Sequence, residues 1–199
     1  MTRCIMLDVD GVIVTGRPKD GRYWGTDLES DLGISMHQLS EVLFTPHWQA
    51  IVTGQQDLAE TLDQCLPLIS QSLTAADLMS YWFSMDARLD QQLLSDVAQL
   101  RSQGTPVYLA TNQDHHRARY LMDQVGLHQH VDGMIYSAQI GAKKPDPAFY
   151  KVAEQITGRA PQDLMLIDDT PANVDAAIKA GWKGVHWTLD NNLLDQLEL

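Results

Sequence analysis

Five short apolar runs, each closed by polar residues or turn formers, constrain the fold of this 199-residue chain more than any other feature. They fall at residues 4–7, 106–110, 133–136, 164–167 and 184–187. Runs this short, bounded by Gly and Asp, read as buried strands. From the second run onward helical patterns separate them. Residues 114–125 carry apolar Tyr120, Leu121, Met122 and Val125. Residues 147–156 open on Asp146-Pro147, and residues 171–180 follow an N-cap at Thr170 and stop at Gly181. Such alternation predicts an α/β fold, a parallel sheet with helices on both faces.

The rhythm breaks after the first run. Residues 16–25 are loop-like, with Arg17, Pro18, Gly21 and Gly25, and short amphipathic helices follow at residues 26–32, 36–43, 46–52, 58–66 and 75–82. Gly33, Thr53-Gly54 and residues 72–74 separate them. This reads as a helical insertion of roughly seventy residues. A helix at residues 91–103 then resumes the sheet rhythm.

The net charge of −12 argues against nucleic acid and anionic membranes as partners. It also leaves an anionic substrate dependent on local cations. Cys4 and Cys65 have no metal-ligand spacing and read as reduced structural thiols. No apolar run is long enough to span a bilayer and the N-terminus lacks a cleavage site, so a cytoplasmic protein is expected.

Open parallel sheets bind ligands at the carboxyl ends of their strands, and four such ends carry chemistry. Asp8 and Asp10 follow the first strand, with Gly11 next. One carboxylate can act as nucleophile and the other can move a proton, although a turn rich in Asp and Gly looks the same. Thr111 and Asn112 follow the second strand and suit either phosphate oxygens or a helix N-cap. Lys144, between Lys143 and Pro145, can fix a phosphate, whereas Lys143 reads as a surface residue. Asp168 and Asp169 can hold magnesium with Asp8, or cap the helix that follows. Asp114 and Arg117 read as a local helix pair, and His115 and His116 as exposed residues at a helix start.

Taken in order, LDVDGVIV, VYLATNQ, KKPDPAFY and LIDDTPANVDAAIKAG resemble the haloacid dehalogenase superfamily. The resemblance implies a three-layer, Rossmann-like core at residues 1–15 and 89–199, with a small helical cap at residues 16–88. It implies Asp8 as nucleophile and Asp10 as general acid/base. Thr111 and Lys144 would hold the phosphoryl group, and Asn112 would contact phosphate or substrate. Mg2+ would sit on Asp8, Asp10 and Asp169, with Asp168 and Asn173 bracing the site. Arg22, Trp24, His47 and Trp48 are the cap candidates for specificity.

Dehalogenases of the superfamily lack the second aspartate of the first motif, and its presence as Asp10 favours phosphoryl chemistry. The expected activity is Mg-dependent hydrolysis of a small phosphorylated metabolite, by a monomer or homodimer. A sugar-phosphate mutase on the same core and a phospho-accepting or binding module are the alternatives.

Overall fold

The computed structural model describes residues 3–188 and 190–197. Its sheet has five strands: β1 (Cys4–Leu7), β2 (Val107–Thr111), β3 (Gly133–Tyr136), β4 (Leu164–Asp168) and β5 (Lys183–His186). All neighbours pair in parallel, in the order β3-β2-β1-β4-β5. β1 lies at the centre and is wholly buried. Its side chains alternate between two cores, as the two-residue period of a strand requires. Ile5 and Leu7 pack with Leu93, Val97 and Leu121 on one face, while Cys4 and Met6 pack with Phe149, Tyr150 and Ala153 on the other. Helices therefore cover both faces, and Cys4 and Cys65 are free, buried thiols.

Three strands differ from the sequence expectation, by one residue at one end or both. Pro106 has no N–H to give and stays outside β2, although its carbonyl accepts from the Ile5 amide at 2.9 Å. Thr111 and Asp168 are polar yet continue their ladders, pairing with Tyr136 and His186. β5 begins at Lys183, opposite Met165, and ends before Trp187.

After β1 the chain turns back on itself, with the Ile13 and Val14 amides donating to the Val9 carbonyl at 2.9 and 2.8 Å. It then leaves the sheet beside its own return. Thr15 N–H donates to the Arg88 carbonyl at 2.8 Å, and Arg88 N–H to Gly16 at 3.0 Å. Between these crossings lie the helices Leu28–Leu32, Met36–Leu39, Thr45–Val52, Leu58–Cys65 and Ala75–Met85. They share a core of their own, built on Trp24, Leu28, Leu43, Leu62, Leu78 and Trp82.

The expected helix at residues 36–43 changes character midway, widening to π geometry over Ser40–Phe44. The one at residues 114–125 does the same, being α-helical only over His115–Arg119 and π over Tyr120–Gln124. Thr170 occupies the N-cap position of Pro171–Lys179, but its hydroxyl makes no capping bond and turns to Asp169 Oδ1. Among the described residues no helix is long and apolar enough to cross a membrane.

Candidate active site

The sheet order puts β1 between β2 and β4, and their carboxyl ends deliver the site. Asp8 follows β1 directly and is 8 % exposed; Thr111 and Asp168 end β2 and β4 and are buried. Lys144 reaches the same point from the loop after β3. Its Nζ lies 3.1 Å from Asp8 Oδ1 and 2.5 Å from Asp168 Oδ2, and the side chain is buried. A buried ammonium needs this pairing, since an isolated one would lose its charge. Burial pushes the Asp8 carboxyl well above the ordinary carboxylate range, against the pull of Lys144, while Asp168 and Asp10 add to the rise.

Asp168 is the most committed of the acids. Besides Lys144 it accepts from the Thr170 amide at 2.9 Å and from Asn173 Nδ2 at 3.0 and 3.1 Å. Asn173 is itself held through its carbonyl by the Tyr150 hydroxyl at 2.7 Å. Asn112, expected to contact phosphate or substrate, turns its side chain to the backbone of Lys144. Its amide donates to the Lys144 carbonyl at 2.9 Å, and its oxygen accepts from the Lys144 amide at 2.8 Å. Both ends of the side chain are used in fixing the lysine loop, which resembles a strand pair more than a ligand contact.

Asp8, Asp168 and Asp169 each place a carboxylate oxygen within 4.8 Å of the others. Three hard oxygens at this spacing suit Mg2+. Burial, with the neighbouring charge of Asp168, raises the Asp169 carboxyl, against the Thr170 hydroxyl and the charge of Lys144. Gly11 permits the crowding. Its φ is +79°, and a Cβ there would lie 2.1 Å from Asp169 Oδ2.

Asp10 is held from the other side. Gln113 Nε2 makes a short bond to its Oδ2, and Arg117 Nη2 lies 3.1 Å from Oδ1. Arg117 was expected to serve Asp114 within one helix. Asp114 instead caps the helix through the His116 and Arg117 amides, at 2.7 and 3.1 Å, while the Arg117 guanidinium leaves the helix altogether. Arg117 is 1 % exposed. Its Nη2 also donates to the Asp86 carbonyl at 2.7 Å and to Asp86 Oδ2 at 3.1 Å, at the end of helix Ala75–Met85. Burial pushes the Asp86 carboxyl up to about 6, against Arg117. His116, expected to be exposed, is half-buried and pairs with Asp57 of the helical segment at 2.8 Å.

Above these groups opens a cavity of about 580 Å³, lined by Asp10, Gly11, Asn112 and Asp169 below and by aromatic residues of the helical segment above. Trp24 and Trp48 line it. Arg22 is exposed with only a 4.0 Å approach to Asp27, and His47 turns outward to Gln56 at 3.1 Å; neither reaches the cavity. Tyr23, Trp82, Asp86, Gln113 and Trp187 also line it and were not singled out from sequence, and Arg117 lines it too, beyond the helix pairing expected of it. Gln113 and Arg117 sit just beyond the Thr111-Asn112 pair, and their proximity to that strand end was the available signal.

A doubly wound α/β fold, with carboxylates and a lysine gathered at the ends of its central strands, places the chain in a class of hydrolytic enzymes. The chain matches the family model for haloacid dehalogenase-like hydrolases over residues 2–181, and it belongs to that family. It is 27 % identical to the sesquiterpene phosphatase astK of Aspergillus oryzae over 94 % of this chain and 90 % of that one. It is also 27 % identical to the GMP/IMP nucleotidase YrfG of Escherichia coli, over 89 % of this chain and 78 % of the relative. In fold it matches the family enzyme bt-2542 of Bacteroides thetaiotaomicron, solved with magnesium and inorganic phosphate. The TM-score is 0.81 at 16 % identity, covering 98 % of this chain and 99 % of that one.

Proposed function

We propose that this hydrolase is a Mg-dependent phosphatase that cleaves small phosphate monoesters in the cytoplasm through an aspartyl-phosphate on Asp8. The observation that carries the reading is the approach of Lys144 Nζ to both Asp8 and Asp168, beside the exposed carboxylate of Asp169. Relatives named as phosphatases and a nucleotidase support it.

Asp8 and Asp169, with the Asp10 carbonyl, would hold Mg2+, which when bound supplies positive charge that lets the anionic nucleophile and phosphate meet. The chain's own residues do the rest. Asp8 attacks phosphorus, and Lys144 and Thr111 hold the phosphoryl oxygens. Asp10 gives a proton to the leaving alcohol and takes one from the water that later frees Asp8. Asp168 and Asn173 keep Lys144 in place, and Asn112 fixes its backbone. We assign residues 16–88 as a cap that shields these steps from bulk water.

The test is phosphate release from p-nitrophenyl phosphate with and without Mg2+. Asp8→Asn is expected to lose turnover by at least about 10³-fold while keeping the native melting transition. Wild-type protein should gain a covalent phosphate on Asp8, detectable by mass spectrometry after acid quench. A folded Asp8→Asn protein that still turns over would remove Asp8 as nucleophile.

A further inference from the structure

The cavity beside the phosphoryl site has two unlike halves. Its upper wall is aromatic: Tyr23, Trp24, Trp48 and Trp82 come from the helical segment, and Trp187 follows β5. Trp24 and Trp82 stack with centroids 4.9 Å apart and planes 20° apart, and Trp48 leans on Trp82 at 5.7 Å. Trp24 and Trp82 are anchored in the helical core, so the wall is set before any ligand arrives. Tyr23 is exposed at the rim.

The lower half contains the ionisable groups, and their balance decides what else can bind. Among the described residues the cavity lining holds three acids, Asp10, Asp86 and Asp169, and one cation, Arg117. Arg117 is spent on Asp10 and Asp86 through Nη2, while its Nη1 is sealed from solvent without a partner. A second anionic group on the substrate, such as a carboxylate, would meet more acid than cation, with Arg117 already engaged. A cationic alcohol would need ring faces turned towards one point. Here the ring faces are turned on each other, with Phe44 also edge-on to Trp82 at 5.6 Å, and two of the three acids already face Arg117. A sugar would find hydrogen-bonding side chains at Thr15, Gln113 and Thr188, but it would set its other hydroxyls against indole carbon. What remains is an uncharged, largely hydrocarbon body, and 580 Å³ holds one of small-drug size.

We infer that the cavity selects phosphate monoesters of uncharged hydrophobic alcohols, of prenyl, alkyl or aryl type, with Trp48 as a specificity-determining residue. The inference rests on the phosphatase reading and deepens it. Hydrolysis releases the hydrophobic alcohol and inorganic phosphate, with one water consumed.

The experiment compares kcat/KM with Mg2+ for a prenyl monophosphate and naphthyl phosphate against glucose 6-phosphate, phosphoglycolate and phosphocholine. The hydrophobic esters should lead by about tenfold or more, the factor expected from burying even a small part of such a body. A lead for the sugar, the carboxylated or the cationic ester overturns the inference and leaves the phosphatase reading intact. No release from any ester, acetyl phosphate included, overturns the phosphatase reading instead. Trp48→Ala should cut the ratio of kcat/KM for prenyl over glucose ester by about tenfold, chiefly through KM for the prenyl ester. Trp48→Gln, of similar reach but polar, gives the same readout if the alanine variant does not fold. An unchanged ratio in a folded variant removes Trp48 from specificity.

Discussion

Gly11 is where a single missing Cβ sets the geometry of the acids. At φ +79° any other residue is strained, and a methyl group would occupy the place of Asp169 Oδ2. Gly11→Ala is therefore expected to cost about 1–2 kcal/mol in stability and to push Asp169 outward. The second effect separates this from a mere loss of stability: half-saturation for Mg2+ in the phosphatase assay should rise several-fold in protein that remains folded. An unchanged Mg2+ dependence would show that Asp169 does not hold the ion. The acids of this cluster were legible in sequence because Asp8, Asp168 and Asp169 end or directly follow a strand, so a linear motif carries their place in space. The bond from Asn112 to the Lys144 backbone was not legible, because that partner lies 32 residues away. Arg117 was missed because its partner Asp10 is 107 positions distant, and no local pattern records that distance.

At the scale of elements, the strands were read well because a parallel strand covered on both faces must be a continuous apolar run. Their last residues were not, since Thr111 and Asp168 pair by backbone whatever their side chains. The two π segments also escaped, because apolar spacing fixes a helical face and not the hydrogen-bond step along it. The loop that brings Tyr23 and Trp24 to the cavity carries an electrostatic fastening of its own. Arg17 is 3 % exposed; Nε donates to Asp20 Oδ1 at 2.9 Å and Nη1 to Asp27 Oδ2 at 2.6 Å. The hydrogen bonds from Arg17 hold both carboxyls below the ordinary range. A carboxyl with a lower pKa folded than unfolded stabilises fully above its unfolded value of about 3.9 and loses that contribution as pH falls through the folded value. The melting temperature should thus drop on acidification below about pH 4, and Arg17→Met, already lower at neutral pH, should drop less over the same interval. Parallel profiles for the two proteins would show that the fastening contributes nothing.

On the scale of the whole molecule, Arg117 is a buried polar tie between the sheet and the helical segment. It stands on the helix after β2, reaches Asp10 after β1, and grips both the carboxylate and the carbonyl of Asp86 where the helical segment returns to the sheet. Its guanidinium also lies 5.7 Å from the centre of the Phe83 ring. Removing one partner from a buried charge cluster leaves the other uncompensated. Arg117→Met should therefore lower the unfolding free energy by about 3–5 kcal/mol at neutral pH, as read from urea titration. Part of this is recoverable, because Asp86 can take up a proton when its counter-charge is gone. The deficit should shrink as pH falls from 7 towards 5, where a carboxyl already raised to about 6 is discharged. Adding Asp86→Leu should restore much of the stability, since the pair would then be replaced by apolar groups of similar bulk. Turnover should not return with it, because Asp10 would still lack the hydrogen bond from Arg117. Recovery of stability without recovery of kcat is the expected signature of a residue that both fastens the helical segment and positions the proton donor. Full recovery of both would assign Arg117 to the fastening alone.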